Sequence, residues 1–333
     1  DKMGGNQSLT GLGAQSTALE VWEYFAIELG KNFLENKTVI VTGGNSGIGL
    51  ETCKLFAYAG ARVILCSRSI SSGEKAIQEE FLQPGHGGYI ANTNNIIVKQ
   101  LDLNSLRSVK KFADDILTTE SRIDYLICNA GIMALPKLEY TEDGFEKQIG
   151  VNVYGHFYLT QLLLPKLKLQ SFESRVIVLS SSAHNMGSID VNNLHFKSGR
   201  SYNNWVSYGQ SKLGDLLFAK ELADRTKNTQ ITSCSVHPGV IQTALWRSSF
   251  FSSGIGASIL GSIMSNKTIP QGAATTIYAC LSPTIFNEDR GAYLVDCQNT
   301  KPSCAQGCDV DGKLRKELWN KIESEINEVT KGF

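Results

Sequence analysis

Two short patterns carry most of the chemistry in this 333-residue chain. Tyr208 and Lys212 stand four apart in Tyr208-Gly209-Gln210-Ser211-Lys212, the spacing that puts two side chains on one face of a helix. A phenol titrates near 10 in water, so a tyrosine that shuttles a proton at neutral pH needs help, and an ammonium beside it favours the phenolate. A depression of about three units corresponds to roughly 4 kcal/mol of preferential phenolate stabilisation. The second pattern is Thr42-Gly43-Gly44-Asn45-Ser46-Gly47-Ile48-Gly49, which follows the apolar run Val39-Ile40-Val41 and opens a helical stretch. Its glycines let a strand turn sharply into a helix, and a pyrophosphate can approach backbone N–H groups at the helix's positive end. One pattern handles a proton; the other holds a dinucleotide.

The elements that must position these residues are visible as alternating patterns. Apolar runs of strand length fall at 38–42, 62–66, 96–101, 125–128, 175–180, 230–236 and 292–295. Helical periodicity falls at 48–59, 72–83, 105–119, 145–168, 207–226 and 271–281. Such alternation predicts a single α/β domain over 37–333, a doubly wound, Rossmann-type parallel sheet of about seven strands with helices on both faces. Residues 1–36 are expected to form an arm and a short helix packed on the body. Two stretches break the pattern, a polar one at 183–206 and an apolar one at 244–270 that contains Leu245, Trp246, Phe250 and Phe251. The second follows a strand's C-terminal end, where ligands bind in open α/β sheets, and is a candidate lid over a hydrophobic small-molecule substrate. Packing of a long connection, contact between copies and peripheral attachment to a membrane are its other readings.

Further candidates lie at the strand ends. The second strand ends Cys66-Ser67-Arg68, where an NAD enzyme would place an acid on the ribose 2′-hydroxyl; Arg68 instead suits a 2′-phosphate, so NADP(H) is the expected cofactor. Asp102, followed by Leu103, ends the third strand and can accept from an adenine amine. Asn129-Ala130-Gly131 ends the fourth with a small-residue turn that lets the cofactor cross the sheet edge. Ser180-Ser181-Ser182 ends the fifth and offers a hydroxyl to a substrate oxygen. Asn152 sits mid-helix, where Asn is a poor helix former. His237-Pro238-Gly239-Val240-Ile241-Gln242-Thr243 ends the sixth and can wall a nicotinamide amide, with His237 read as a satisfied structural residue.

Bulk properties narrow the class. The 32 basic and 32 acidic side chains leave no net field to recruit nucleic acid or an anionic membrane. Cys53, Cys66, Cys128, Cys234 and Cys280 lie in apolar runs, as buried thiols of a reducing compartment do, so an intracellular place is expected, cytoplasmic or peripheral on an organelle membrane, and not a secreted one. Cys297, Cys304 and Cys308 have no nearby histidine and no fourth ligand, so no metal site is expected.

With these residues assembled, the chain resembles the short-chain dehydrogenase/reductase family over nearly all of 37–330. The marks are Thr42-Gly43-x3-Gly47-Ile48-Gly49, Asn129-Ala130-Gly131, Asn152, the serine triplet, Tyr208-x3-Lys212 and Pro238-Gly239-x3-Thr243. Within the family it is most similar to the retinol dehydrogenases and to the oxidoreductase part of the WW-domain-containing oxidoreductase. The phrases Val151-Asn152-x2-Gly155-His156-Phe157 and Gln271-Gly272-Ala273-Ala274-Thr275-Thr276 carry that likeness. The resemblance implies that Tyr208 is the general acid/base and Lys212 its ribose-binding partner. It further implies that Ser181 is the donor to the substrate oxygen and Asn152 the holder of a proton-relay water. The expected activity is interconversion of a hydrophobic alcohol with its aldehyde or ketone. A non-catalytic subunit that keeps the fold inside a larger assembly is the alternative.

Overall fold

The computed structural model describes residues 10–81, 89–241 and 267–333. Strand β1 (Thr38–Thr42) is buried along its whole length, and its residues alternate between two cores. Ile40 points to one apolar cluster, with Ile64 and Leu126, while Val39 and Val41 point to another, with Leu65 and Ile127. A strand with no solvated face reads as an unbroken apolar run and must be covered by helices on both sides. The other strands are β2 (Arg62–Ser67), β3 (Ile96–Gln100), β4 (Tyr125–Cys128), β5 (Ser174–Leu179), β6 (Ile231–His237), β7 (Tyr293–Val295) and β8 (Gln298–Thr300). They form one sheet in the order β3-β2-β1-β4-β5-β6-β7-β8, parallel from β3 to β7.

The order reverses between β1 and β4, which leaves a crevice beyond their carboxyl ends, the place where open α/β sheets bind ligands. The Gly-rich turn and the Asn129-Ala130-Gly131 turn are the two ends that meet there.

The principal helices are α1 (Ala18–Leu29), α2 (Gly47–Tyr58), α3 (Ile70–Ala76), α4 (Leu106–Thr119), α5 (Gly155–Leu169), α6 (Asn204–Arg225), α7 (Ile269–Leu281) and α8 (Lys313–Thr330). Helix α1 is started by a reciprocal cap in which Glu20 N–H donates to Thr17 Oγ1 at 3.3 Å and Thr17 N–H to Glu20 Oε2 at 2.8 Å, and it buries Val21, Trp22 and Phe25 against the body.

The expected doubly wound sheet is present, and among the described residues it has eight strands: Asp296 and Cys297 both adopt left-handed backbone (φ 53° and 60°) and turn the chain, beyond the seven expected runs, into an antiparallel edge strand that pairs Val295 with Gln298. Two helical regions differ from expectation. The helix expected at 145–168 is broken: a turn at Lys147–Ile149 passes into a π-helical turn, Gly150–Tyr154, before α5 begins. Helix α8 was not foreseen at all; its Leu318, Trp319, Ile322 and Ile326 are buried, with the Trp319 ring 4.6 Å from Phe157 on α5 and 5.9 Å from Phe218 on α6. Of the expected lid, 244–266 lies outside the described residues; Lys267 pairs with Asp296, and Thr268 caps α7. No helix among the described residues is long and apolar enough to cross a membrane.

Candidate active site

A cleft of about 810 Å³ opens at the carboxyl edge of the sheet. From the Gly-rich turn it is lined by Gly43, Asn45, Ser46, Gly47, Ile48 and Gly49, and from β2 by Ser67 and Arg68. Asp102 and Leu103 line it after β3, Asn129, Ala130 and Gly131 after β4, and Tyr208, Lys212 and Pro238 at its far end. Gly239 and Val240 are not among the lining residues, and Thr243 lies outside the described ones. The structure adds Ser69, Ser72, Asn104 and Lys147, whose polar identity alone gave no signal in the sequence.

The Gly-rich turn is a backbone cradle. Gly43 has φ 65°, and a Cβ there would sit 3.0 Å from Ala130 Cα, so only glycine lets β1 and β4 close at this point. Ser46 opens α2 without bonding it through its side chain, which leaves the first-turn N–H groups of the helix facing the cleft. Asn129 is a clamp: its Nδ2 donates to Thr42 O at 2.7 Å. The guanidinium of Arg68 is exposed on the cleft wall, and no acidic side chain among the described residues pairs with it.

The two expected reacting side chains lie where helical spacing puts them. Lys212 Nζ is 5.9 Å from the centre of the Tyr208 ring, and donates to Leu179 O and to Asp215 Oδ2, each at 2.8 Å. The three serines separate by role. Ser180 Oγ donates to Lys212 O at 2.6 Å and ties β5 to α6, while Ser182 is exposed and gives its N–H to His237 Nδ1 at 3.3 Å. Ser181 is the one that acts on Tyr208, pulling its pKa down, although it does not itself line the cleft; its Oγ accepts from Ala183 N–H at 3.1 Å. Close approach of the backbones holds this arrangement: a Cβ on Gly209 would lie 2.5 Å from Gly187 N and 2.7 Å from Ala183 O. Tyr208 sits in a small buried apolar cluster, with Met133, Ala134 and Ala183 packed on it and Trp205 edge-on at 6.2 Å.

Asn152 takes a supporting place. Its Oδ1 accepts from Ile132 N–H at 2.9 Å, and its Nδ2 donates to Ile132 O at 3.0 Å and to Ser211 Oγ at 2.8 Å. Its main-chain oxygen bonds His156 Nδ1 at 2.7 Å. A carbonyl can only accept, so Nδ1 carries the proton, and in a neutral ring Nε2 must accept. Thr42 Oγ1, 2.8 Å away, is the donor, and it accepts in turn from the N–H groups of Asn129 and Ala130, each at 2.9 Å. His156 thus joins the Asn152 turn to the cradle, a role the sequence did not reveal.

Charge in the site departs from the simple expectation. Burial pushes Tyr208 above the usual phenol range, against the pull of Lys212 and of Ser181, and Asp215 adds to the rise. The ammonium therefore acts in the expected direction without winning. Burial pulls Lys212 down, but Asp215 and then Tyr208 more than restore it, so it titrates above the usual lysine range. Burial raises the Asp215 carboxyl to about 7 in spite of Lys212. Burial likewise lowers His156 to about 4, and His237 to about 4 with help from Lys267.

A doubly wound parallel sheet with a glycine cradle at its switch point, and a Tyr-Lys helix across from it, defines a Rossmann-type protein built to hold a ligand between the two. A family model described as short chain dehydrogenase matches residues 37–252, and the chain belongs to that family of oxidoreductases. Retinol dehydrogenase 14 of Mus musculus is 38% identical over 312 residues, covering 90% of this chain and 87% of that protein. Retinol dehydrogenase 11 of Homo sapiens is 41% identical over 249 residues, covering 75% of this chain and 74% of that protein. Among solved structures, an uncharacterized protein from Mycobacterium paratuberculosis superposes with a TM-score of 0.66 at 32% identity, over 88% of this chain and 94% of that one. The Pseudomonas aeruginosa RhlG/NADP active-site complex shares the fold with a TM-score of 0.61 at 22% identity, over 85% of this chain and 97% of that one.

Proposed function

We propose that the protein is an NADP(H)-dependent oxidoreductase that interconverts a hydrophobic alcohol with its aldehyde or ketone, with Tyr208 as general acid/base. What supports this reading is one observation: the glycine cradle, Arg68, Tyr208 and Lys212 line a single cleft. The residues present fit the cofactor. The N–H groups of Gly47, Ile48 and Gly49 would hold its pyrophosphate, Ser67 and Arg68 its 2′-phosphate, Asp102 and Leu103 its adenine, and Lys212 a ribose. Pro238 would stand beside its nicotinamide end. When bound, it supplies or accepts the hydride at the substrate carbon.

The chain's own part is the proton. In carbonyl reduction Tyr208 gives its hydroxyl proton to the substrate oxygen as charge develops there, and Ser181 donates a hydrogen bond to the same oxygen. In alcohol oxidation Tyr208 takes the proton, and Lys212 stabilises the phenolate left behind during reduction. The apolar cluster of Met133, Ala134, Ala183 and Trp205 packed on the phenol makes its surroundings apolar, which is compatible with a hydrophobic substrate, and the relatives' names suggest a retinoid.

The test is turnover of NADPH by the purified protein with a panel of retinoid, steroid and lipid aldehydes and ketones. Wild-type protein should turn over at least one, and Tyr208→Phe should lose about 10²-fold or more in kcat while binding NADPH unchanged. Absence of turnover together with a stable larger assembly on size analysis favours the non-catalytic subunit. Retained activity in Tyr208→Phe removes the phenol from the mechanism.

A further inference from the structure

Lys212 and Asp215 form an ion pair one helical turn long, both buried, directly behind the phenol. A single acceptor at Leu179 O would already aim the ammonium; Asp215 is a second, and it brings a carboxylate into a site where burial makes charge expensive. Its other oxygen, Oδ1, is buried and has no hydrogen-bond partner among the described residues. Two of the three N–H groups of Lys212 are taken by these contacts, which leaves one for whatever lies beside Tyr208.

We propose that Asp215 is a positioning residue that balances the charge of Lys212, setting the working pH of Tyr208 higher than Lys212 alone would set it. This rests on the reading of Tyr208 as the acid/base. The ionisable groups facing the pair are few. Tyr208 lies on the same helix and feels both charges, and Cys128 at the end of β4 faces Asp215, with its thiol pushed up by burial and then by that carboxylate. His156 on α5 feels Lys212 and is neutral near pH 7. The pair is neutral when Asp215 is ionised and cationic when it is protonated, so the field on Tyr208 changes across the range where Asp215 titrates, about 7.

The experiment uses the full chain with 13Cζ-labelled tyrosine, the Tyr208 resonance being assigned through Tyr208→Phe. Asp215→Asn keeps an oxygen to accept from Lys212 Nζ and removes only the charge. The Tyr208 titration is expected to fall by about one pH unit in the ligand-free protein. The corresponding limb of the kcat/KM profile should move the same way. A titration that stays put, or one that moves upward, overturns the proposal, the latter because Lys212 would have lost its charge along with its partner. Wild-type protein provides a second measurement that does not depend on the variant's folding. Its Tyr208 shift should show a second inflection on the acid side of the phenol's own titration as Asp215 titrates, and a curve without one over the pH range where the protein stays folded overturns the proposal equally. Lack of turnover in the wild type refutes the enzymatic reading but leaves these NMR outcomes to decide the role of Asp215.

Discussion

His156 makes stability fall on mild acidification, and by an amount that can be worked out. The ring is buried, gives Nδ1–H to Asn152 O and accepts at Nε2 from Thr42, so a second proton has no place to go without breaking the Thr42 contact. Its pKa drops from 6.5 to about 4 in the folded state, chiefly through burial. The unfolded chain therefore takes up a proton that the folded chain refuses. The contribution to stability is complete above pH 6.5 and is lost as the pH falls toward 4. Between pH 7 and pH 5 the difference comes to about 2 kcal/mol. His184 and His237, whose pKa values are also lowered by burial, steepen the total, so the isolating measurement is a difference. Urea unfolding of wild type and of His156→Asn at both pH values should give stability gaps that differ by about 2 kcal/mol, with the gap narrower at pH 5. Parallel stability curves for the two proteins would show that His156 does not titrate as argued, and would break the inferred chain from Asn152 through His156 to Thr42.

Other expected outcomes concern the cofactor wall and the late helix. Arg68→Ala should raise the dissociation constant for NADPH about tenfold or more by fluorescence titration, from loss of charge-assisted hydrogen bonds, and leave that for NADH nearly unchanged; equal effects would make Arg68 a bystander. Trp319→Ala should cost about 3–5 kcal/mol in urea unfolding, because its ring fills the space between Phe157 and Phe218; a surface-sized effect would mean α8 adds little to the fold.

The parts of the fold that were legible in the sequence are those whose burial is two-sided. Val39-Ile40-Val41 and Val63-Ile64-Leu65 serve both cores, so they read as unbroken apolar runs with boundaries close to the real strands. Strand β8 is short, polar and solvated at its end, and its turn is Asp296-Cys297 in place of the usual glycine, so nothing local announces it. Helix α8 hides its four buried residues among charges, a pattern visible only if its period is measured. The π-helical turn at Gly150–Tyr154 depends on tertiary contacts of Asn152 with Ile132 and Ser211, which no helical propensity encodes. The cleft itself was legible because its residues sit at strand ends in fixed order. The electrostatics were not: Asp215 is three residues past Lys212 and looks like an ordinary surface partner until burial is known.

That last difference bears on how the site works. Spacing alone suggested an ammonium that acidifies a phenol, yet in the folded chain burial and Asp215 hold Tyr208 protonated above its usual range. Burial above all, with a smaller push from Asp215, thus stores the acid form, the one that carbonyl reduction would consume on the proposed reading. Alcohol oxidation needs the phenolate, and a further positive charge beside the ring must help to reach it, which an oxidised nicotinamide carries when bound. On the proposed reading, the protein does not fix one acidity for Tyr208 but leaves it high, so that the charge state of the bound cofactor selects whether the phenol gives a proton or takes one.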